Sequence, residues 1–338
     1  MHTTAYLVRR RSMLPVIAAA WLVAIYGSTI LVWFVTILLL ADPVLFVPGL
    51  IYLYWIIFGP GRSACAKATW KPRMRGWGVW KALARYFPAE LVKTAELDPQ
   101  HSYIFALHPH GILTCNSWMN FSSEATGFSK LFPGIEMHTG TISWNFITPV
   151  VREFCLMHGM CDVSRKTMVE LLSTPGRALM VAIGGASEAL LAAPGTMDLI
   201  LNKRKGFIRV ALTTGAHLVP VISFGENDLF DPIAVEKHSF TWYTQQLTKS
   251  MLGFCVPPFV GRGILGYPYG LLPKPRPIVT VVGKPLPVAQ WQGDLHSLEG
   301  KQLADKYHAQ YVIALTELYE QHKDLYASDR VRSMKLVA

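Results

Sequence analysis

The hydrophobic pattern divides the chain in two. From Met13 to Leu40 runs an apolar stretch without a single charge, interrupted at Ala41-Asp42-Pro43 and resumed from Val44 to Phe58. The first run exceeds the ~20 residues a helix needs to cross a bilayer. The second contains Pro48-Gly49 and, at ~1.5 Å per residue, is marginal for a full crossing. Together they predict an N-terminal transmembrane helical hairpin, with a single span and an interfacial second segment as the alternative.

Beyond residue 80 the pattern becomes short apolar runs separated by amphipathic stretches and glycine-rich breaks. Tyr103–Leu107, Ala178–Ile183, Leu218–Phe224 and Ile278–Val282 read as strands. Ser164 is placed to cap a helix through Leu172. Phe207, Val210 and Ala211 recur at helical spacing, with Gly215 as the stop, and Tyr86-Phe87-Pro88 closes a short helical segment. The strongest late helix spans 302–322, with Leu303, Tyr307, Tyr311, Leu315 and Leu318 along one face. The reading is an α/β body at 81–326, preceded by a membrane hairpin at 1–59 and a basic interfacial linker at 60–80, and followed by a C-terminal tail at 327–338.

Composition sharpens the membrane reading. Hydrophobic residues make up 51% of 338 and charged residues only 16%, with a mean hydropathy of +0.29. That is too apolar for an ordinary soluble domain. The net charge of +10 suits nucleic acid, anionic lipid or a phosphate-bearing ligand. Without an arginine-rich tract or zinc-finger spacing, nucleic acid is not expected as a partner. Basic residues flank both outer ends of the hairpin: Arg9 to Arg11 before it, and Arg62, Lys67, Lys71, Arg73 and Arg75 after it. The positive-inside rule then puts both ends in the cytosol. Trp70, Trp77 and Trp80, interleaved with these cations, suit a membrane interface. A signal peptide is the competing reading, but the first run is longer than an h-region and no small-residue cleavage site follows it. Five cysteines, an odd number with no CxxC, fit reduced thiols and a cytosol-facing body. On that topology the sequon Asn120-Phe121-Ser122 should stay unglycosylated.

The chemistry concentrates after three of the expected strands: His108-Pro109-His110-Gly111, Gly184-Gly185-Ala186-Ser187-Glu188, and Gly225-Glu226-Asn227-Asp228. If those strands are parallel, all three motifs share the sheet edge where α/β sites form. His108 and His110 are the candidate bases, since imidazole titrates near neutrality, and two apart on an extended chain they would share one face. His110, beyond Pro109 and beside Gly111, is the preferred base. A metal role lacks a clear third ligand. Glu124, Glu188, Glu226 and Asp228 are the acids that could orient the imidazole. Gly111, Gly184 and Gly185 could bring main-chain N–H groups to an oxyanion. Cys115 permits a Cys/His covalent route, although a free Cys is ordinarily a small buried hydrophobe. Lys203, Arg204 and Lys205 form a compact positive cluster before a helix start, suited either to the phosphates of a carrier such as coenzyme A or to a solvated face.

Taken together, these residues resemble the diacylglycerol acyltransferase type-2 family, which includes monoacylglycerol and wax-alcohol acyltransferases. The resemblance is carried by YFP at 86–88, YIFALHPHG at 103–111, SSEATGFSKLFPGI at 122–135, VSR at 163–165, IGGASEALLAAPG at 183–195 and NKRKGFIRVAL at 202–212. It continues with HLVPVISFGENDLFD at 217–231, GRG at 261–263 and VVGKPLPV at 281–288. The resemblance implies a glycerolipid-acyltransferase-like mixed sheet with flanking helices. It implies an enzyme of the endoplasmic reticulum membrane and lipid droplets, with a cytosol-facing catalytic domain, moving a fatty acyl group from acyl-CoA to a lipid hydroxyl. Acyl-CoA is then a substrate and no cofactor is expected. Its partners are the neutral-lipid acceptor and membrane lipids, with homo-oligomerisation left open.

His108 to Gly111 match the family's active-site signature. Broader glycerolipid acyltransferases pair a catalytic His with an Asp five residues on; the corresponding residues here are Leu113 and Cys115, so that pairing is absent. Glu188 is the first choice of orienting acid. Thr114-Cys115-Asn116-Ser117-Trp118 is bulkier than the family's pattern and bears on acceptor choice. Diacylglycerol is the leading acceptor, monoacylglycerol or a long-chain alcohol the alternative. A non-catalytic lipid-droplet hairpin or lipid-transfer protein is the reading from outside the enzyme class.

Overall fold

The structure, a computed structural model, describes residues 13–59, 74–252, 254–255, 257–264 and 267–337. Arg9 to Arg11, and Arg62, Lys67, Trp70, Lys71 and Arg73 of the linker, lie outside the described residues.

The N-terminal apolar runs do form a helical hairpin. A helical stretch over 13–22 passes through a π turn at Val23–Gly27 into α1 (Ser28–Ala41), and α2 (Pro43–Ile57) returns. Asp42 makes the corner by accepting from the N–H groups of Val44 (2.8 Å) and Leu45 (3.2 Å), with Pro43 at the first helical position. The helices approach closely at Gly49, where a β-carbon would stand 2.7 Å from Leu40 Cδ2. No helix among the described residues is long and apolar enough to cross a membrane. The expectation of a transmembrane hairpin is therefore met only as a helical hairpin: the π turn and the Asp42 corner divide the apolar runs into shorter helices. Its outer faces are apolar and open, with Leu31, Phe34, Ile37, Val44, Val47 and Ile51 exposed. Its root is tied to the body: Ala18 and Trp21 are buried, Trp21 packs edge-on against Phe87 and Trp118, and Tyr52 donates to Glu153 at 2.9 Å.

The expected interfacial linker differs over its described third, residues 74–80. Arg75 is buried, donating to the carbonyls of Phe121 and Met137 and pairing with Glu124 at 3.1 Å. Trp80 is buried as well, and its indole N–H donates to the Met74 carbonyl. These two residues fasten α3 (Gly78–Tyr86) to the body; Trp77 stays exposed.

The body is a seven-stranded mixed sheet. Its strands are β1 (Ala89–Lys93), β2 (Tyr103–His108), β3 (Glu136–Thr141), β4 (Met160–Asp162), β5 (Arg177–Ala182), β7 (His217–Phe224) and β10 (Ile278–Val282), in the order β1-β10-β7-β2-β5-β3-β4. Short pairs β6 (Asp198–Leu199) with β11 (Lys335–Leu336), and β8 (Asp231–Pro232) with β9 (Phe259–Val260), lie outside it. From β7 to β4 all neighbours run parallel; β10 is antiparallel to β7. The helices between are α4 (Cys115–Asn120), α5 (Phe128–Leu131), α6 (Val151–Met157), α7 (Arg165–Leu172), α8 (Gly185–Ala189), α9 (Gly206–Thr214), α10 (Phe240–Leu252) and α11 (Leu298–Tyr326). Ser164 caps α7 by accepting from Thr167, and Gly215, at φ +75°, ends α9.

β2 is buried on both faces, as a central parallel strand must be. Its residues alternate between two layers. Ile104 and Ala106 join the cluster built by α7, α9 and α11, whereas Tyr103, Phe105 and Leu107 join the cluster of Phe121, Phe128 and Phe132. Continued by one residue, that parity sends His108 into the α11 layer. The C-terminal segment is no loose tail. Val331 donates to Gly195, Lys335 to Met197 and Val337 to Leu199, and β11 lies parallel to β6.

Candidate active site

Because β5, β2 and β7 are adjacent and parallel, their carboxyl ends place the three motifs side by side at one edge. The two histidines of HPHG have different environments. His108 is fully buried, with Nε2 3.1 Å from the Tyr311 hydroxyl. That hydroxyl donates to the Ala106 carbonyl at 3.2 Å, so its oxygen accepts from His108 Nε2–H. Nδ1 is then an unprotonated acceptor with no hydrogen-bond partner. Burial pulls the pKa of His108 down to about 3, so the ring is neutral.

His110 lies past the turn and is partly exposed. Its Nδ1 is 2.9 Å from the Gly111 carbonyl, which can only accept, so Nδ1 carries the proton and Nε2 keeps its lone pair. Thr114 Oγ1 lies 3.3 Å from Nδ1 and 3.5 Å from Nε2. Burial lowers the pKa of His110, against the raising effect of the Gly111 hydrogen bond. A neutral imidazole with a free Nε2 is the form a general base requires. The two rings share no hydrogen-bond partner, unlike the common face expected of an extended chain.

None of the four expected acids reaches the His110 ring. Glu188, buried, accepts the main-chain N–H of His110 on Oε1 at 2.6 Å and that of Ile200 on Oε2 at 2.9 Å. It therefore joins HPHG to the strand that leads into the basic cluster. Burial pushes its pKa up to about 7, opposed by those two N–H groups and by Arg204. Glu226 accepts from Cys115 N and Asn116 N, both at 2.8 Å, and so caps α4. Burial raises it to about 8, again against two N–H donors. Asp228 accepts from Gly195 at 2.7 Å, and Glu124 is held by Arg75 and Ser129. Among the described residues, the ring's hydrogen-bond partners are Thr114 and Gly111. In the sequence Thr114 stands out only as the first residue of the bulky 114–118 segment, and the signal for its contact with the ring is its place four residues beyond His110.

The glycines divide by surroundings. Gly111 adopts φ +66°, and a β-carbon there would stand 2.5 Å from Glu226 Cγ. A β-carbon on Gly184 would stand 2.1 Å from Glu188 Oε2, so Gly184 lets the carboxylate lie against the chain. Gly185, at φ +60°, faces open space, with nothing within 4 Å of such an atom.

The basic cluster borders the same edge. Arg204 Nη2 donates to the Gly184 carbonyl at 3.2 Å, Lys203 is exposed, and Lys205 is paired with Asp305 at 2.7 Å. Cys115 is fully buried, and burial, then the nearby Glu226 charge, raises its thiol pKa well above the ordinary value. Among the described residues no group of three His, Cys, Asp or Glu side chains is placed to hold a metal ion. Asn120 of the sequon is buried and donates to Asn116 O and Thr280 Oγ1.

Residues 37–336 match the sequence family described as diacylglycerol acyltransferase. The chain is 41% identical over 309 residues to diacylglycerol O-acyltransferase 2A of Umbelopsis ramanniana, covering 90% of this chain and 85% of that one. It is 41% identical over 288 residues to the human acyl-CoA wax alcohol acyltransferase 1, covering 84% and 85%. It is 42% identical over 278 residues to the human 2-acylglycerol O-acyltransferase 3, covering 81% and 79%.

Proposed function

The chain belongs to the diacylglycerol acyltransferase family, and on that premise we propose that it is an acyl-CoA-dependent O-acyltransferase that converts diacylglycerol to triacylglycerol. The observation that carries the mechanism is the state of His110: Nδ1–H given to the Gly111 carbonyl, Nε2 left with its lone pair. Nε2 takes the proton of the acceptor hydroxyl as that oxygen attacks the thioester carbonyl. The new C–O bond forms, the C–S bond breaks, and the proton passes from the imidazolium to the departing CoA sulfur. No acyl-enzyme is needed, in keeping with a buried, protonated Cys115.

Gly111, Gly184 and Gly185 are the main-chain groups this reading assigns to the oxyanion, and the open space beside Gly185 supports it as the first of them. Lys203 and Arg204 supply charge for the CoA phosphates, since Lys205 is already paired. His108 serves as a neutral support beneath α11, and Glu188 as the brace that fixes the His110 main chain. No cofactor takes part in this reading.

Monoacylglycerol and long-chain alcohols are the alternative acceptors. The three relatives named above differ in acceptor by name while nearly equal in identity to this chain, so overall similarity does not select among them. The exposed apolar faces of the hairpin support attachment to the endoplasmic reticulum membrane or a lipid droplet, and the basic residues on both flanks of the hairpin support a catalytic edge toward the cytosol. The test is incubation of purified protein with labelled oleoyl-CoA and each acceptor separately, followed by identification of the product. Labelled triacylglycerol from diacylglycerol alone is the expected result. Product only from an alcohol or monoacylglycerol would reassign the acceptor, and no ester from any would support the lipid-transfer reading.

A further inference from the structure

Between β7 and β10 the chain leaves the sheet over residues 231–277. Because β10 is antiparallel to β7, it starts at the edge where β7 ends. The excursion therefore departs from and returns to the active-site edge. It contains the β8–β9 ribbon, α10, and a second ribbon bridged at Gly261–Gly270 and Arg262–Leu272. Its root is firmly held. The rings of Phe230 and Phe259 lie 4.5 Å apart, Tyr86 donates to the Pro273 carbonyl at 2.6 Å, and Phe259 packs against the cluster that also holds Trp21 of the hairpin.

Away from the root, its large apolar side chains are bare. Phe240 is 84% exposed, Tyr243 55% and Leu247 57%, at i, i+3 and i+7 along one side of α10. In the second ribbon Tyr267 is 67% exposed, Tyr269 77% and Leu271 67%. So many open aromatic and aliphatic groups on one excursion mark an interaction surface. The charges of this stretch of sequence are mainly positive: Lys237, Lys249, Arg262, Lys274 and Arg276 against Asp231 and Glu236. Lys274 is paired with Asp231 and Arg262 meets the Tyr86 hydroxyl, which leaves Lys237, Lys249 and Arg276 as the cations of the excursion not assigned to its root.

We propose that α10 and the 267–271 side of the second ribbon form a bilayer-docking surface that seats the active-site edge on an anionic phospholipid membrane, separately from the apolar hairpin. Tyrosine-rich apolar faces on a positively charged excursion match the headgroup boundary of such a bilayer. A second copy of this chain, with the same positive excursion and a net charge of +10, would be repelled. The root shared with the hairpin makes the two surfaces neighbours. The inference goes beyond the acyltransferase reading, because docking does not depend on turnover.

The test uses the full-length protein in vesicles. A Cys65→Ser background leaves native cysteines that are buried. Leu247→Cys, Tyr269→Cys and, as a control on exposed α11 surface, Lys301→Cys are each labelled with an environment-sensitive fluorophore. The vesicles are phosphatidylcholine, with or without phosphatidylserine, and contain a nitroxide-bearing phospholipid. Quenching at 247 and 269 should exceed that at 301 several-fold and grow with phosphatidylserine; equal quenching at all three positions would overturn the proposal. Shielding in detergent that rises with protein concentration, without lipid quenching, would assign the face to a second copy and overturn it too. A Phe240→Asp, Leu247→Asp double variant tests the consequence. It should melt like the parent, and lose activity several-fold on vesicle-embedded acceptor while keeping it on detergent-dispersed acceptor. Equal loss in both media would count against docking. The quenching result stands whether or not acyl transfer is found.

Discussion

The main-chain N–H of His110 donates to Glu188 Oε1 at 2.6 Å, while the imidazole of the same residue meets no carboxylate. Glu188 is thus a positioning residue: it fixes where the ring starts. Glutamine offers one oxygen to two N–H donors, so Glu188→Gln leaves either His110 N or Ile200 N facing an NH₂ group. We expect kcat to fall about tenfold, within the ~1–3 kcal/mol cost of leaving a buried N–H donor unsatisfied. The acid limb of the pH–rate profile should stay in place, because the ring keeps its own partners. A limb that moves with the substitution would give Glu188 a direct hold on the imidazole.

His110→Ala should lower the rate by about 10²–10⁴-fold, the usual contribution of a general base, with acyl-CoA binding retained. Since burial lowers the His110 pKa, the base form persists into mild acid, and the acid limb of kcat/KM should lie below the ordinary imidazole value of 6.5. His108→Ala should act through stability instead, because it deletes a fully buried ring and the partner of Tyr311. Thermal melting beside single-turnover rates separates the two effects.

Cys115→Ser should retain activity. The thiol is buried and its pKa raised, so no thiolate is available for attack. Mass spectrometry after mixing with acyl-CoA should find no acyl group on the protein; an adduct lost specifically in Cys115→Ser would establish a covalent route.

Within the basic cluster the structure separates the three cations. Neutralising Lys203 and Arg204 should raise the KM for acyl-CoA with little change for the acceptor, whereas Lys205→Ala removes a residue already paired with Asp305 and should do less. Initial-rate kinetics with each substrate varied in turn provides the check, and equal effects of all three would return the cluster to a solvated face.

Glu226 predicts a stability slope. Its folded pKa, about 8, lies above the ordinary 4.5, so the folded state keeps a proton the unfolded chain has released. The stabilisation is complete below about 4.5 and is lost as pH rises through about 8, with a limiting slope of about 1.4 kcal/mol per pH unit. Glu188 acts in the same sense up to about 7. His108 acts oppositely: its folded pKa of about 3 lies below 6.5, so its contribution is present above 6.5 and lost as pH falls. The decline should therefore show most clearly between 6.5 and 8. Urea midpoints across that range should drop for the wild type and flatten in Glu226→Gln.

Much of the body was legible because its core strands are apolar on both faces. Tyr103–Leu107, Leu218–Phe224 and Ile278–Val282 each agree with an observed strand to within one residue at either end. β3, with the residues EMHTGT, carried no such run, and neither did the three-residue β4; both were missed because a parallel partner, and not their own hydrophobicity, makes them strands. The gathering of HPHG, GGASE and FGEND followed from strand order. The partner of each carboxylate did not, since Glu188, Glu226 and Asp228 all bind main-chain N–H groups, and any residue type supplies those. Arg75 and Trp80 looked interfacial by composition, but burial with satisfied partners makes them part of the core.

The β6–β11 pair has a consequence for the order in which the molecule is made. Asp198 and Lys335 pair across 137 positions of sequence, and the residue after β6 is Ile200, whose N–H reaches Glu188. During synthesis the apolar hairpin emerges long before that clasp can close. Until Lys335 has been made, β6 has no β11 beside it, so the strand that leads to Ile200, and through it to Glu188, is completed late.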